Sequence, residues 1–326
     1  MFNANAMFTT FCKSIEQNVW YRVLLISVTI WLLVSAYNKI QRLKTPIPYS
    51  GSLMESFISN SSSSNVVVKK DAGTKDAFYA AVYNQLFNQK VDNAYEVGTI
   101  INKYPAISNQ TIALDVGAGT GAYMNAFIQN GITDITGIET SADMIAQAKK
   151  AHPGRNLNIV QGDPTVPTAF EPGSFTLASM MNFEVYYIPN TEQLFSNIYA
   201  WLKPGGYFVL HLVDPRRFNL SSLLGGGGGT TTSATRTHAQ NVVKLNDFEY
   251  KSDVQVFPND MVQYMEVFTH DKTGKVRKNV RNFKIPSPQS FIELATGVGF
   301  NMLGQIDLVK AQKEYQYFYL FYKPAN

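Results

Sequence analysis

The sequence predicts an α/β protein built on a Rossmann-like sheet, and three observations carry that expectation. A short apolar segment, Thr111–Val116, runs into the glycine turn Gly117-Ala118-Gly119-Thr120-Gly121 and then into a helical pattern. That is the strand, turn and helix start from which α/β proteins make nucleotide sites. Acidic residues close three successive strand-like segments, at Asp115, Glu139 and Asp163. The chain of 326 residues, 45% of them hydrophobic, has room for one sizeable α/β domain with appendages.

Before that domain come three segments. Residues 1–18 read as a tail, and 19–38 as a transmembrane anchor. Val23–Tyr37 holds fifteen residues without a charge, and with Val19, Trp20 and Tyr21 the apolar segment approaches the ~20 residues a bilayer helix needs. Lys39, Arg42 and Lys44 then favour the cytoplasmic side for the rest of the chain. A cleaved signal ending near Val34-Ser35-Ala36 and a soluble helix are the alternatives. Residues 39–75, with Pro46, Pro48 and the polar tract Ser59–Asn65, read as a flexible linker.

Charge separates these parts. Residues 1–50 carry five basic groups against Glu16, a net of +4 that equals the whole chain's, which leaves 23 basic and 23 acidic groups for the rest. A neutral catalytic region argues against nucleic acid as substrate, since phosphate binding needs a clustered basic face. Cys12 is the single cysteine, so there is no intramolecular disulfide, and no metal site is expected.

The domain proper is expected over 76–326. Phe78, Val82, Leu86 and Phe87 set a leading helix on which Tyr79 and Tyr83 share a face. Strand one ends at Asp115. From Gly117 to Ala122 the chain formally satisfies G-x-G-x-x-A, with Glu139 about 20 residues on, which fits a nicotinamide-dependent oxidoreductase. Asp115 speaks against it, because a carboxylate beside an anionic pyrophosphate is repelled, whereas a cationic or zwitterionic ligand suits it.

Strand two, Asp134–Ile138, leads to Glu139, Thr140 and a helix begun by Ser141 and Asp143. Leu157–Val160 is a short strand before Gly162-Asp163-Pro164, and that triplet also suits a plain turn. Ser174–Met180 opens onto Met181–Tyr187, Lys203-Pro204-Gly205-Gly206 makes a turn, and Tyr207–Val213 is the fifth strand. An insertion occupies 215–286. Gly225–Gly229 reads as a mobile lid or a plain loop, and Phe248–Phe257, Met261–Thr269 and Val276–Ile285 alternate as antiparallel strands. Lys272, Lys275, Arg277, Lys278, Arg281 and Lys284 give this part a solvated basic face or a seat for phosphate or an anionic headgroup. Gln289–Val298 reads as a helix, and Gly304–Val309 and Tyr315–Tyr322 as closing strands.

These motifs together resemble class I S-adenosylmethionine-dependent methyltransferases of the type 11/25-like small-molecule group. LDVGAGTGAY is similar to their first motif and ITGIETSADMIAQAKK to their second strand with its terminal acid. QGDPTVP, SFTLASMMNFEVYYIP and WLKPGGYFVLHLVD are similar to the third, fourth and fifth. The resemblance implies a seven-stranded sheet with an antiparallel C-terminal edge hairpin and a β insertion after strand five. It also implies S-adenosyl-L-methionine as cofactor, with Asp115, Gly117, Ala118, Gly119 and Gly121 at the donor's amino acid end.

The same resemblance puts Glu139 and Thr140 at the ribose, with Met144, Gly162, Asp163 and Pro164 around the adenine. Tyr79 and Tyr83 would then cover the methionine end, and Met181 also belongs to the cofactor site. Packing or capping remains open for several of them, Met144, Tyr79 and Asp115 among them. Candidates for a base are Glu184, Tyr186, Tyr187 and His211, each with a packing role as its alternative. No Asn-Pro-Pro-aromatic sequence occurs at Asn182-Phe183-Glu184, which lowers a nucleic acid or glutamine target. The expected function is a membrane-tethered methyltransferase acting on a small molecule or lipid, its catalytic domain facing the cytoplasm. A protein acceptor, the oxidoreductase and a non-catalytic binding protein on the same fold are the alternatives.

Overall fold

The computed structural model describes residues 19–44, 57, 65–87, 93–223, 230–234, 237–245 and 247–325. The tail with Cys12, most of the expected linker and the Gly225–Gly229 loop lie outside these. The chain divides into two compact units, residues 1–49 and 50–326.

In the first unit, Val19–Lys44 forms one helix of 26 residues, α1. Val23, Leu24, Ile26, Val28, Ile30, Trp31, Leu32, Leu33 and Val34 on it are exposed. Among the described residues no helix is long and apolar enough to cross a membrane, which corrects the transmembrane expectation for 19–38. The uncharged stretch of fifteen residues rises roughly 22 Å at 1.5 Å per residue, short of the ~30 Å hydrocarbon layer.

The second unit contains two sheets. The larger is seven-stranded, in the order β12-β13-β6-β5-β2-β3-β4. Its strands are β2 (Ile112–Val116), β3 (Asp134–Glu139), β4 (Asn158–Gln161), β5 (Phe175–Met180), β6 (Leu202–Val213), β12 (Asn301–Asp307) and β13 (Gln316–Tyr322). Pairing is parallel from β4 through β3, β2 and β5 to β6, and antiparallel at β13 and β12, the expected edge hairpin. Strand order reverses beside β2, the position at which open α/β sheets bind ligands beyond their strand ends.

Alternation along the strands explains the layering. Leu114 and Val116 of β2 enter one buried apolar cluster and Ala113 the other, on the opposite face of the sheet. The helices covering the sheet include α3 (Asn93–Lys103), α4 (Ala122–Gln129), α5 (Ala142–Ala151), α6 (Thr191–Trp201) and α7 (Pro288–Val298). The expected turn Lys203–Gly206 is taken up inside β6, where the register with β5 jumps from Phe175↔Leu202 to Leu177↔Tyr207.

The smaller sheet is six-stranded, in the order β1-β11-β10-β9-β8-β7. The expected strands appear as β9 (Phe248–Val256), β10 (Met261–His270) and β11 (Val276–Lys284), joined by β7 (Thr230–Ala234) and β8 (His238–Lys244). Its far edge is β1, Val66–Lys70, paired parallel with β11 from Val66↔Val276 to Lys70↔Val280. The linker reading of 39–75 is thereby corrected over 66–75, where a strand and a 3-10 turn lead into α2 (Ala77–Phe87). Val66-Val67-Val68 is a strong β former that the preceding polar tract obscured.

The basic run of the insertion is also corrected in part. Arg277, Asn279, Arg281 and Phe283 alternate inward along β11 and are buried. Arg277 donates to Asp76 at 2.9 Å, to Asn279 at 2.9 Å and to the Thr74 carbonyl at 3.1 Å. Arg281 donates to Glu266 at 2.7 Å and to the Tyr79 hydroxyl at 2.8 Å. Both guanidiniums are occupied by internal partners.

Candidate donor site

The site forms where β2 ends. Leu114 and Val116 anchor the strand in the core while Asp115, between them, is itself only 3% exposed. Ser179 of neighbouring β5 donates to Asp115 Oδ1 at 2.9 Å. Burial pushes the Asp115 carboxyl up to about 7; the Ser179 hydrogen bond works against that, and the Glu184 and Glu139 charges add to it. A buried carboxylate in this condition gains most from a cationic ligand.

Gly117 comes next with φ +76, and a Cβ there would meet Glu184 Cγ at 2.2 Å. Only glycine satisfies both the dihedral and the contact. The amides of Gly117 and Ala118 donate to the Ile138 carbonyl at 2.9 and 3.0 Å, so the turn is stitched to the end of β3. Glu139, at that end and 2% exposed, accepts from Gly119 N at 3.0 Å, Ser141 N at 3.0 Å and Thr140 Oγ1 at 3.2 Å. Ser141 caps α5 by accepting from Met144 N at 3.1 Å, which sets the buried Met144 under the turn.

A cleft of about 580 Å³, mouth included, opens over this turn. Its walls include Lys75, Tyr83, Asp115, Gly117, Ala118, Gly119, Met144, Met181 and Glu184. The structure thus gathers most of the residues expected at the donor's amino acid end around one cleft. Glycine backbone open to close approach and the buried acid Asp115 form one wall of it, while expected Glu139, buried at the end of β3, lies behind that wall and outside the lining.

Other expected site residues lie outside that lining. Gly162 N donates to the Glu139 carbonyl at 3.0 Å, and Asp163 turns its carboxylate onto Thr165 N and Oγ1 at 2.8 and 2.7 Å. The Pro164 carbonyl receives Asn197 at 2.9 Å. Thr140 is exposed, and Gly121 packs against Leu157. Tyr79 is fully buried, its hydroxyl shared between Glu266 and Arg281. Burial raises the Tyr79 phenol well above its ordinary range.

The four base candidates separate cleanly. Tyr186, in the 3-10 turn Glu184–Tyr187, accepts from Val213 N at 2.9 Å, which ties that turn to the end of β6. The Tyr187 ring packs on Phe283 at 4.6 Å and under the Arg281 guanidinium at 5.6 Å. His211 is 1% exposed and stacks on Phe183 at 4.8 Å; burial, aided by Lys313, holds its pKa well below the usual range. Glu184 alone reaches the cleft. Asn182 and Phe183, just before it, adopt φ 50 and φ 67, a left-handed pair of non-glycine residues of the kind found where function over-determines the backbone.

Lys75, Thr120, Tyr123 and Asn182 line the cleft without a sequence signal that marks them for it. Lys75 belongs to the cap segment and reaches the site only through the β1–β11 pairing, which nothing local announces. Tyr123 is legible in principle, two residues after the glycine turn, and donates to buried Glu96 at 2.7 Å.

A family model described as a methyltransferase domain matches residues 114–210. No curated protein matches the chain. Among solved structures, an S-adenosylmethionine-dependent methyltransferase from Clostridium acetobutylicum is 17% identical, covering 76% of this chain and 98% of that one at a TM-score of 0.57. An amino pentose methyltransferase from Micromonospora echinaspora is 16% identical, covering 75% and 96% at 0.54. A sugar N-methyltransferase from Streptoalloteichus is 15% identical, covering 72% and 87% at 0.52. The dinucleotide reading of Gly117–Ala122 yields to this match and to the antiparallel β13 edge. Residues 114–210 thus match the methyltransferase domain family, and the fold is that of the class I S-adenosylmethionine-dependent methyltransferases.

Proposed function

We propose that this enzyme transfers a methyl group to the nitrogen of a small, amine-bearing molecule. The observation that carries this reading is the charge of the cleft: Asp115 and Glu184 line it, buried Glu139 lies behind it 3.9 Å from the Lys75 ammonium, and Lys75 is the single lysine among the described lining residues. Such a site attracts cationic ligands, and an amine is cationic until it reacts. The fold is shared with an amino pentose methyltransferase and a sugar N-methyltransferase, which supports the choice of acceptor class.

S-adenosylmethionine supplies an electrophilic methyl on a sulfonium. Asp115 would face the ammonium of its methionine end, the glycine turn would let that end approach the protein backbone, and Glu139 would accept from its ribose hydroxyls. Met181 and Met144 exclude water from the cleft, which strengthens every charge interaction inside it. Glu184 takes the proton of the acceptor nitrogen, a role suited by burial, which raises its pKa despite the opposing charge of Lys75. With the donor bound, the nitrogen–carbon bond would form as the carbon–sulfur bond broke, sulfur keeping the electron pair. Alignment supplies much of the rate.

Labelled donor incubated with amino sugars, amine-headgroup lipid vesicles and a protein extract tests the acceptor. Label in amino sugars or other small amines is the expected result; label confined to lipid or protein overturns it.

We also infer that α1 rests on a membrane surface and holds the chain there. Exposed apolar side chains at Ile26, Val28, Ile30 and Leu32–Val34 and the basic groups Lys39, Arg42 and Lys44 after them support this reading. The full chain should float with lipid vesicles, and a chain lacking residues 1–44 should not. Flotation of both, or of neither, contradicts the tether.

A further inference from the structure

Lys75 occupies an unusual position. It closes the segment that edges the six-stranded sheet, and it points into the donor cleft. Its ammonium lies 3.0 Å from Glu184 Oε1 and 3.9 Å from Glu139 Oε1. Its carbonyl accepts from Ser141 Oγ at 2.6 Å, so the backbone is fixed to the helix start that carries the ribose acid. Only the side chain has freedom to move.

Glu184 is equally specific in where it lies. Its Cγ fills the place a side chain on Gly117 would take, 2.2 Å from that Cβ position. The Lys75–Glu184 pair therefore bridges the cleft directly above the glycine turn. The donor's methionine end bears an ammonium and a carboxylate, and the turn beneath that bridge is where it must be received. Asp115 answers the ammonium. Among the cleft's lining residues Lys75 is the one cationic side chain, so it is the group able to answer the carboxylate with a charge-assisted hydrogen bond.

We propose that Lys75 is a donor-recognition residue that exchanges partners, leaving Glu184 for the carboxylate of the donor's methionine end and so releasing Glu184 toward the acceptor. The exchange joins two events. A bound donor replaces one carboxylate partner of Lys75 with another, so the lysine stays paired throughout. Glu184, relieved of its ion pair, becomes a free carboxylate only once the amino acid end of a donor is bound. This rests on the methyltransferase reading of the cleft and adds to it an order: donor before proton acceptance.

Calorimetric titration separates the two ideas, using S-adenosylhomocysteine, which has the amino acid end, and 5′-methylthioadenosine, which lacks it. Lys75→Gln should weaken S-adenosylhomocysteine by at least about tenfold, the order of one charge-assisted hydrogen bond, while leaving 5′-methylthioadenosine within about twofold. Lys75→Arg should restore most of the loss. Glu184→Gln, which removes the competing partner, should leave S-adenosylhomocysteine binding equal or tighter. Equal loss of both ligands in Lys75→Gln, in a sample whose melting temperature is unchanged, overturns the exchange and leaves the donor site standing. Weaker S-adenosylhomocysteine binding in Glu184→Gln also overturns it. No binding of either ligand by the unaltered chain overturns the donor site itself.

Discussion

Ser179 donates its hydroxyl proton to Asp115 across 2.9 Å, in a place where burial alone would keep the carboxyl protonated near neutrality. The neighbouring strand thus contributes to the ionisation state of the acid that the glycine turn presents.

That relationship sets a pH dependence. Burial raises the folded-state pKa of Asp115 to about 7, so the folded chain binds more protons than the unfolded one between its ordinary carboxylate value and 7. Stability from this group is fully present below the unfolded pKa and is lost as pH rises through about 7. Melting temperature should fall across that window, and Asp115→Asn should flatten the slope. Ser179→Ala should shift the fall to higher pH. A slope unchanged in Asp115→Asn would show that another group causes it.

Gly117 should be intolerant of substitution. Alanine there must hold φ +76 and displace Glu184 Cγ from 2.2 Å. The left-handed strain costs about 1 kcal/mol, and the displaced Glu184 loses its pairing with Lys75. Gly117→Ala should show both a lower denaturation midpoint and weaker S-adenosylhomocysteine binding by titration. Full binding would mean that the turn does not approach the ligand.

Glu266, fully buried, accepts from Arg281 at 2.7 Å and from Tyr250 at 2.8 Å. Removing the guanidinium alone leaves a buried carboxylate without its counter-charge, a loss of about 3–5 kcal/mol. Arg281→Met should therefore destabilise the domain in urea far more than the pair Arg281→Met with Glu266→Gln, in which the charge is gone and the tyrosine bonds persist. Equal losses would mean that the tyrosines alone hold Glu266.

Truncation tests where the domain begins. Phe57 is 1% exposed and packs its ring 4.9 Å from Phe78 and 5.2 Å from Phe248. A chain of residues 50–326 should melt like the full chain, one starting at 65 should lose about 3 kcal/mol with that aromatic anchor, and one starting at 76 should aggregate through the bared edge of β11. Calorimetry and light scattering on the three distinguish these outcomes. A soluble, cooperatively melting 76–326 would show β1 to be dispensable.

The parallel core of the fold is legible in the sequence because each strand ends in a signal the chemistry demands. Asp115, Glu139 and the glycine turn fall at strand ends, and the closing strands β12 and β13 lie close to the expected Gly304–Val309 and Tyr315–Tyr322. Distance along the chain hides the rest. Val66–Lys70 pairs with a strand more than 200 residues away, and nothing near it in sequence announces the partner. Arg277 and Arg281 look like solvent-facing charge because local pattern cannot reveal Asp76 or Glu266 beneath them. In the cleft, backbone-made features are readable and side chains brought from the cap, Lys75 foremost, are not.

The parallel pairing of Val66–Lys70 with Val276–Lys284 has a mechanical consequence. Among the described residues, the six-stranded sheet is moored by three chain crossings, two at the ends of the insertion and one at Asp71–Asp76. A flap hung from two adjacent strands swings about a single axis, but three anchor points define a plane and leave no axis free. Admission of an acceptor must therefore come from side-chain movement or from the loops between strands. Any larger displacement of the sheet drags Lys75 with it and so disturbs the donor cleft at the same stroke.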